Sequence, residues 1–516
     1  MKPEFFNFLP EYKKKFLLND LMSGLLVAII ALPLSIALGI QSVPENVSSN
    51  GIQMGLITAI VAGFLISFLG GSRMQIGGPT AAFVVILFGY LSDPEIGVFG
   101  LQLATIFAGV WLIVFSLVRA GNVMKFIPYP IVIGFTTGIG LTLIVGQIKD
   151  FLGLNSSGSE LIEKMVSYVQ NITDFNWITF LIGCLGLAII LILNKINKKI
   201  PAAIIALITC TGVNLIITYT VGDMGVQTIG SKYGEISAEF YPIDFSKIVD
   251  VNFGKIIIPS ISIAFLCAIE SLLSATVADG MAKTKHNPNQ ELIGQGIANI
   301  GSALLGGLPA TGAIARTAAN INAGAKSPLS GILHAIFILI MYFSLMSVLK
   351  FIPLAVFSSI LITVAIHMCN FRLFFKLVKF SKRDSVIVLS TCLLTLFLDL
   401  IYGVIGGMII SVIINIPSLK KKIKIEKIVD EFLTIKVTGN IFVFNVDTII
   451  KSVQDRDPIL NKVVIDFSGV SSVEATSCER LGKVKKSFLS TNNTLDFINV
   501  SEKIGKRIDG FQGGEK

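Results

Sequence analysis

The chain has 516 residues, 53% of them hydrophobic and only 15% charged, with a formal net charge of +9 and a mean hydropathy of +0.77. Soluble globular chains carry about a quarter charged residues, so these values exclude a protein that is soluble throughout. The positive charge sits in short clusters between apolar runs, which argues against a nucleic-acid face and carries membrane topology instead.

Residues 1–19 lack a small-residue cleavage pattern, and the apolar run that follows is too long for a signal sequence. They are expected to stay as a cytoplasmic segment. Apolar segments then follow at 20–40, 51–70, 76–91, 97–118, 126–147, 176–193, 200–220, 256–279, 289–307, 310–325, 329–349, 353–370, 384–399 and 401–417. The longer ones can cross a ~30 Å hydrocarbon core alone, and several are short or broken by Gly and Pro. An even number of spans places both termini on one side.

The basic residues agree with that topology. The side shared with the termini holds Lys13–Lys15, Arg73, Arg119, Lys125, Lys195, Lys198, Lys199, Lys283, Lys285, Lys326, Arg372, Lys376, Lys379, Lys382, Arg383 and Lys420–Lys422. The opposite loops hold only Lys149, Lys164, Lys232, Lys247, Lys255 and Lys350. By the positive-inside rule both termini are cytoplasmic.

A weak repeat relates the halves. Leu69-Gly70-Gly71 precedes Pro79-Thr80-Ala81-Ala82, and Leu305-Gly306-Gly307 precedes Arg316-Thr317-Ala318-Ala319. Both lie at the third segment of a seven-segment half, with repeat one at about 20–220 and repeat two at about 256–417. An odd number per half inverts the second half, the plan of many secondary transporters.

The same two segments cannot be ordinary spanning helices. Pro favours a first helical turn, so short helices are expected to begin near Pro79 and Pro309, each of only about 15 residues. Inverted half-helices would bring their electropositive starts together near the midplane, which suits an anion. Arg316 is placed two turns beyond Pro309, leaning back toward that point. An Arg at a helix centre costs about 2.5–3.5 kcal/mol on insertion scales, so it needs a reason, whether anion binding or an ion pair with Glu270. Glu270, with Ser274 one turn on, suits a proton or sodium site; a buried hydrogen bond that fixes helix packing is the alternative.

Other polar residues are read as structural. His334 and His367 are expected to be packing histidines, Thr136 and Thr137 helix contacts, Asp279 a cap or loop contact, and Asp399 a turn residue. No cysteine among Cys184, Cys210, Cys267, Cys369, Cys392 and Cys478 has CxxC spacing, so neither a metal site nor a disulfide framework is expected. There is no phosphate-binding loop for an ATP-driven pump and no nucleophile–base pair for an enzyme; no cofactor is expected.

After a basic linker at 418–430, the tail at 431–516 alternates strand and helix patterns: strands at 432–437, 441–446, 462–467 and 495–500, and helices at 476–489 and 502–508. This is a small α/β domain.

Several of these stretches resemble the SulP family of anion permeases, which includes bacterial sulfate, bicarbonate and dicarboxylate transporters and the animal proteins prestin and pendrin. The carriers are Asp20–Leu25 leading to Ala31–Leu34, Gln75–Phe83, Ala268–Leu273 with Ala278–Met281, and above all Pro309–Ser330. The resemblance implies an α-helical polytopic membrane protein of 14 transmembrane segments in a 7+7 inverted repeat, with a core domain that moves against a gate domain. It implies an anion between the third and tenth segments, lined by Leu34, Ser35, Leu38, Pro79, Thr80, Ala81, Ala313, Ile314, Ala315 and Arg316. Glu270 and Ser274 match the family's coupling-ion region.

The tail resembles a STAS domain through Val464–Val470. Ala475 stands where related anti-sigma-factor antagonists carry a phosphorylated Ser, so dimerisation or regulation is the expected role. The leading expectation is proton-coupled sulfate or oxyanion symport by alternating access, in a multi-pass homodimer of the inner (plasma) membrane. Sodium-coupled bicarbonate or proton-coupled C4-dicarboxylate transport are alternatives, and a nucleobase transporter or non-transporting sensor is a rival of another class.

Overall fold

The computed structural model describes residues 2–121, 128–155, 158, 161–197, 200–398, 400–419, 423–429, 432–442, 445–454, 462–489, 494–501, 504, 505 and 508. Asp399, Lys125, Lys198, Lys199, Lys420, Lys421, Lys422 and most of the expected helix at 502–508 lie outside the described residues.

The apolar runs become helices in the expected order. The uninterrupted spans are Leu17–Ser42, Gly51–Leu69, Gly97–Leu117, Tyr129–Leu152, Trp177–Ile196, Ala202–Thr220, Phe253–Ala282, Pro288–Leu304, Leu329–Leu349, Leu354–Cys369, Lys382–Phe397 and Leu400–Leu419. The third and tenth segments are the short helices Ala81–Ser92 and Ile314–Asn322. Among the described residues, nine helices are long and apolar enough to cross a membrane. Polar residues mark the starts. Asn176 accepts from Thr179 N, Asn287 from Gln290 N and Ser381 from Asp384 N, each taking up a first-turn N–H that has no partner within its helix.

Contacts group the described residues of 1–124 and 139–368 into one compact unit, and those of 125–138 and 369–516 into a second. In the first unit, spans one to four and eight to eleven, the same positions of each half, pack on one another. Small residues permit this. A Cβ on Gly39 would overlap the carbonyl of Gly51, and one on Gly55 would overlap the carbonyl of Ser35. The first two spans therefore touch backbone to backbone beside Ser35. The main core of this unit includes Ile36, Leu38, Ile52, Leu56 and Phe357.

In the second unit the fifth span begins against the thirteenth, where Cβ atoms on Gly134 and Gly138 would crowd Val388 O and Thr395 Cβ. Thr137 Oγ1 donates to Cys369 O at 2.8 Å, the helix contact expected of it. The tail forms a four-stranded sheet of Lys424–Val429, Leu433–Ile441, Lys462–Val473 and Thr494–Ile498 in that spatial order. The first pair is antiparallel and the other two pairs are parallel. Helices Val446–Gln454 and Ala475–Leu489 complete it.

Two expectations for the tail are corrected. Residues 424–429, placed in a basic linker, form an edge strand paired with Leu433–Thr438. Of the strand expected at 441–446, Ile441 ends a longer strand and Val446 starts a helix, while 443 and 444 lie outside the described residues. A short apolar run fits strand or helix equally by periodicity, and packing decides between them.

Candidate functional site

The third and tenth segments each enter as extended chain before turning helical. Gly77 pairs with Gly312 and Gly78 with Thr311 in a two-residue antiparallel ladder. Ala313 N donates to Ile76 O at 2.9 Å and Ile76 N to Thr317 Oγ1 at 3.1 Å. The two half-helices leave this ladder in opposite senses, as an inverted repeat requires.

This corrects the expected starts at Pro79 and Pro309. The helices begin at Ala81 and Ile314, because the intervening backbone spends its hydrogen bonds across the ladder rather than along a helix. Arg316 is accordingly the third residue of its helix, not two turns in.

Side chains from other spans take up the remaining polar backbone of these lead-ins. Leu308 N donates to Thr58 Oγ1 at 2.6 Å, Ala310 N to Asn299 Oδ1 at 2.9 Å, and Ser302 Oγ donates to Leu308 O at 2.7 Å. On the other lead-in, Asn320 Nδ2 donates to Met74 O at 3.0 Å, while the lead-in's own Gln75 Nε2 donates to Ser271 O of the eighth span at 3.1 Å. Thr58, Asn299, Ser302 and Asn320 were not singled out in the sequence. Each looks like an ordinary polar residue until its partner is known.

Two carboxylates staple loops in the same way. Asp20 Oδ1 accepts from Lys326 N (2.7 Å) and Ser327 N (3.1 Å), and its Oδ2 accepts from Ser327 Oγ (2.6 Å). Glu291 Oε2 accepts from Gly71 N (2.9 Å) and Ser72 N (3.1 Å), and its Oε1 accepts from Gln295 Nε2 (2.8 Å).

Thr80 caps the third-segment helix, accepting from Ala82 N, and donates its hydroxyl to Glu270 Oε1 at 2.7 Å. The tenth-segment helix has no side-chain cap at Ala313. Its first N–H groups thus stand at an open start, beside the exposed side chains of Ile314 and Ala315. Arg316 is 1% exposed. Its Nη2 donates to Ser35 Oγ at 3.2 Å, while Nε and Nη1 have no hydrogen-bond partner among the described residues. Gly78, at a φ of +150°, lies under the guanidinium, and a Cβ there would overlap Nη1.

Arg316 and Glu270 do not form the ion pair considered from the sequence. Each is bonded to a hydroxyl instead, and Glu270 Oε2 is also without a partner. Ser274 turns from Glu270 toward the tenth segment, its Oγ lying 3.3 Å from Thr317 Oγ1. Of the other residues expected to line the site, Ser35, Pro79, Thr80 and Ala81 are buried at the crossing and Ala313 and Leu34 are partly buried. Leu38 is 1% exposed within the apolar core.

Asp279 is a loop contact, accepting from Thr284 Oγ1 and His286 N. His367 bonds to its own helix at Thr363 O. His334 is buried against Gly63, with neither ring nitrogen bonded among the described residues.

The model of the sulfate permease family matches residues 17–391, a stretch that contains both half-helices, Glu270 and Arg316. The chain belongs to the sulfate permease family. It is 34% identical over 94% of its length to the putative sulfate transporter YvdB of Bacillus subtilis, covering 87% of that protein. It is 29% identical over 78% of its length to the bicarbonate transporter BicA of Picosynechococcus, covering 70% of it.

Among solved structures, the transmembrane domain of a cyanobacterial BicA superposes with a TM-score of 0.68 at 28% identity, covering 77% of this chain and 98% of that one. SLC26A9 covers 98% of this chain and 88% of its own at a TM-score of 0.70 and 17% identity, a likeness of fold alone. This family member is thus an α-helical polytopic membrane protein of inverted-repeat plan with a STAS-like α/β tail, and a transporter rather than an enzyme. Its cargo is anionic.

Proposed function

We propose that this chain is a secondary active symporter that couples proton entry to uptake of sulfate or a similar small oxyanion by alternating access. The observation that carries this reading is the buried Arg316 guanidinium, with two nitrogens unpartnered, beside an uncapped helix start and across the paired Gly77–Gly78 and Thr311–Gly312. A guanidinium presents its donors in a planar fork that suits carboxylate-like and tetrahedral oxyanions. Free first-turn N–H groups add a second set of donors. Ser35, Pro79, Thr80, Ala81, Ala313, Ile314 and Ala315 frame the anion, with Leu34 and Leu38 as apolar backing.

Glu270 carries the proton in this scheme. Its Oε2 makes no hydrogen bond among the described residues, and protonation removes a charge that is costly to keep out of water. Ser274 orients Thr317 rather than sharing a cation with Glu270. The protein works as a homodimer in the inner membrane with both termini cytoplasmic, and its STAS-like tail serves pairing or regulation.

The test is uptake of labelled sulfate, bicarbonate and succinate into vesicles holding the full chain, under imposed proton or sodium gradients. Proton-driven sulfate uptake is expected, and Glu270→Gln should abolish the stimulation by the proton gradient. Unchanged stimulation in that variant would remove Glu270 from coupling. Uptake of bicarbonate driven by sodium would replace the proposed cargo and coupling ion together, and BicA among the relatives is the reason for those arms.

Gly78→Ala should weaken transport without removing any donor. The new Cβ must push the guanidinium aside, and a side chain at this φ adds about 1–3 kcal/mol of backbone strain. The expected result is a raised half-saturation concentration for uptake with a lower thermal midpoint. A half-saturation equal to wild type would show that the anion does not depend on where Arg316 sits.

A further inference from the structure

The segment before the first span packs on the membrane-facing side of the second. Phe5 and Phe6 each lie 5.3 Å from Phe68 between ring centroids, and Phe68 stacks on Phe64 at 5.7 Å. Phe64 and Phe68 belong to the span Gly51–Leu69, and both Phe64 and Phe6 are exposed. The segment is therefore held at the depth where that span ends, the level at which aromatic rings collect. Leu17, Leu18 and Met22 carry exposed apolar side chains on into the first span.

Lys13, Lys14 and Lys15 stand between these two apolar stretches, and all three are exposed. None of them has a carboxylate within ion-pair distance among the described residues. Between 11 and 19 the chain holds one acid, Glu11, against these three lysines. Asp20, which follows, spends both oxygens on Lys326 N, Ser327 N and Ser327 Oγ.

The same segment grips the loop that leads to the half-helix crossing. Arg73 Nη2 lies 2.8 Å from Glu4 Oε1, and Arg73 Nε donates to that oxygen at 2.9 Å. The guanidinium sits 4.3 Å from the Phe8 ring centre, and Glu4 N donates to Gly70 O at 3.0 Å. Glu291 holds Gly71 and Ser72 in the same loop. A few residues beyond Arg73 the chain enters the ladder at Gly77.

We propose that residues 4–16 are an in-plane membrane anchor whose lysine triad docks the anionic headgroups of phospholipids, and that the Glu4–Arg73 latch passes this hold to the lead-in of the third segment. Charge complementarity selects the occupant. Three exposed ammonium groups, tied by aromatic rings to the edge of the hydrocarbon, face a layer of fixed phosphates. An apolar contact and a basic patch reinforce one another at such a surface. The anchor uses none of the residues at the half-helix crossing and is independent of which anion is carried.

Two measurements test it. In purified full-length protein in a neutral detergent, phosphatidylglycerol should raise the thermal midpoint and phosphatidylcholine should not. Combining Lys13→Gln, Lys14→Gln and Lys15→Gln should remove most of that rise, whereas the three Lys→Arg changes together should keep it. Inorganic phosphate should give no rise. An equal rise with phosphatidylcholine, with inorganic phosphate or in the triple Gln variant overturns the headgroup site. This reading needs no transported anion, so its outcome is separate from that of the transport function.

In vesicles, the ratio of wild-type to triple-Gln uptake of labelled sulfate is compared between lipid compositions, because an anionic surface repels sulfate from both proteins alike. The ratio should stay near one in phosphatidylcholine and reach roughly two- to fivefold when phosphatidylglycerol is mixed in. Added inert salt should shrink it. Glu4→Gln should keep the rise in midpoint with phosphatidylglycerol and lose the gain in uptake. A ratio that phosphatidylglycerol does not change, or a gain that Glu4→Gln retains, overturns the link from headgroup to lead-in.

Discussion

Arg316→Gln should abolish saturable anion uptake while leaving the fold intact. In the structure the guanidinium has one protein hydrogen bond, from Nη2 to Ser35 Oγ, and two nitrogens without any. A residue kept for packing would be expected to have its donors satisfied by protein, because a buried unpaired donor is destabilising. On the proposed reading, the satisfied state is the one with an anion bound. Removing one partner of a buried charge pair costs about 2–5 kcal/mol, roughly thirtyfold to several-thousandfold in affinity.

The thermal midpoint of the empty protein should hold or rise, since a buried cation without its counter-ion is itself unfavourable. Arg316→Lys keeps the charge but loses the planar fork, so uptake should fall to an intermediate level. The measurements are uptake of labelled sulfate and thermal unfolding in detergent, with and without sulfate. Wild-type uptake by Arg316→Gln would remove the anion from this crossing altogether.

Glu291→Ala should have the opposite profile, with a large loss of stability and a secondary loss of transport. The buried carboxylate takes up Gly71 N, Ser72 N and the Gln295 amide. Truncation leaves three buried donors without an acceptor, at about 1–3 kcal/mol each before relaxation. Glu291→Gln keeps an acceptor oxygen and should be milder.

The loop that Glu291 holds leads within a few residues to Ile76 and the Gly77–Gly78 ladder, so loosening it also blurs the position of Thr80. A thermal midpoint several degrees below wild type is the expected reading, with uptake falling less than in Arg316→Gln. An unchanged midpoint would show that water satisfies these donors and that the staple is dispensable. Asp20 holds Lys326 and Ser327 by the same chemistry, and Asp20→Ala should behave alike.

The fourteen segments were legible in the sequence because a hydrocarbon core demands a minimum run of apolar residues, and every such run became a helix close to its expected limits. The interruption of the third and tenth segments was legible too, since Gly and Pro clusters at membrane depth leave few alternatives. Arg316 and Glu270 stood out by the same logic. Charged side chains inside apolar runs are costly, so they mark where a compensating partner must be.

What the local pattern could not supply was where the backbone of each break finds its hydrogen bonds. Pro79 and Pro309 pointed to helix starts, yet the ladder between Gly77–Gly78 and Thr311–Gly312 defers both helices to Ala81 and Ile314. That choice depends on a strand more than two hundred residues away. The same distance hid Thr58, Glu291 and Asp20, whose partners lie more than two hundred residues away. That Arg316 and Glu270 each bond to a hydroxyl rather than to one another was equally out of reach of the local pattern.

Composition and periodicity determined that this chain lives in a membrane, how often it crosses, and that two crossings are broken. Only the tertiary structure decided that the breaks clasp each other and that an arginine beside them is left with donors to spare. The physical reason is that burial is a property of a segment, whereas satisfaction of a buried polar group is a property of the pair, and the second member of each pair is supplied by folding.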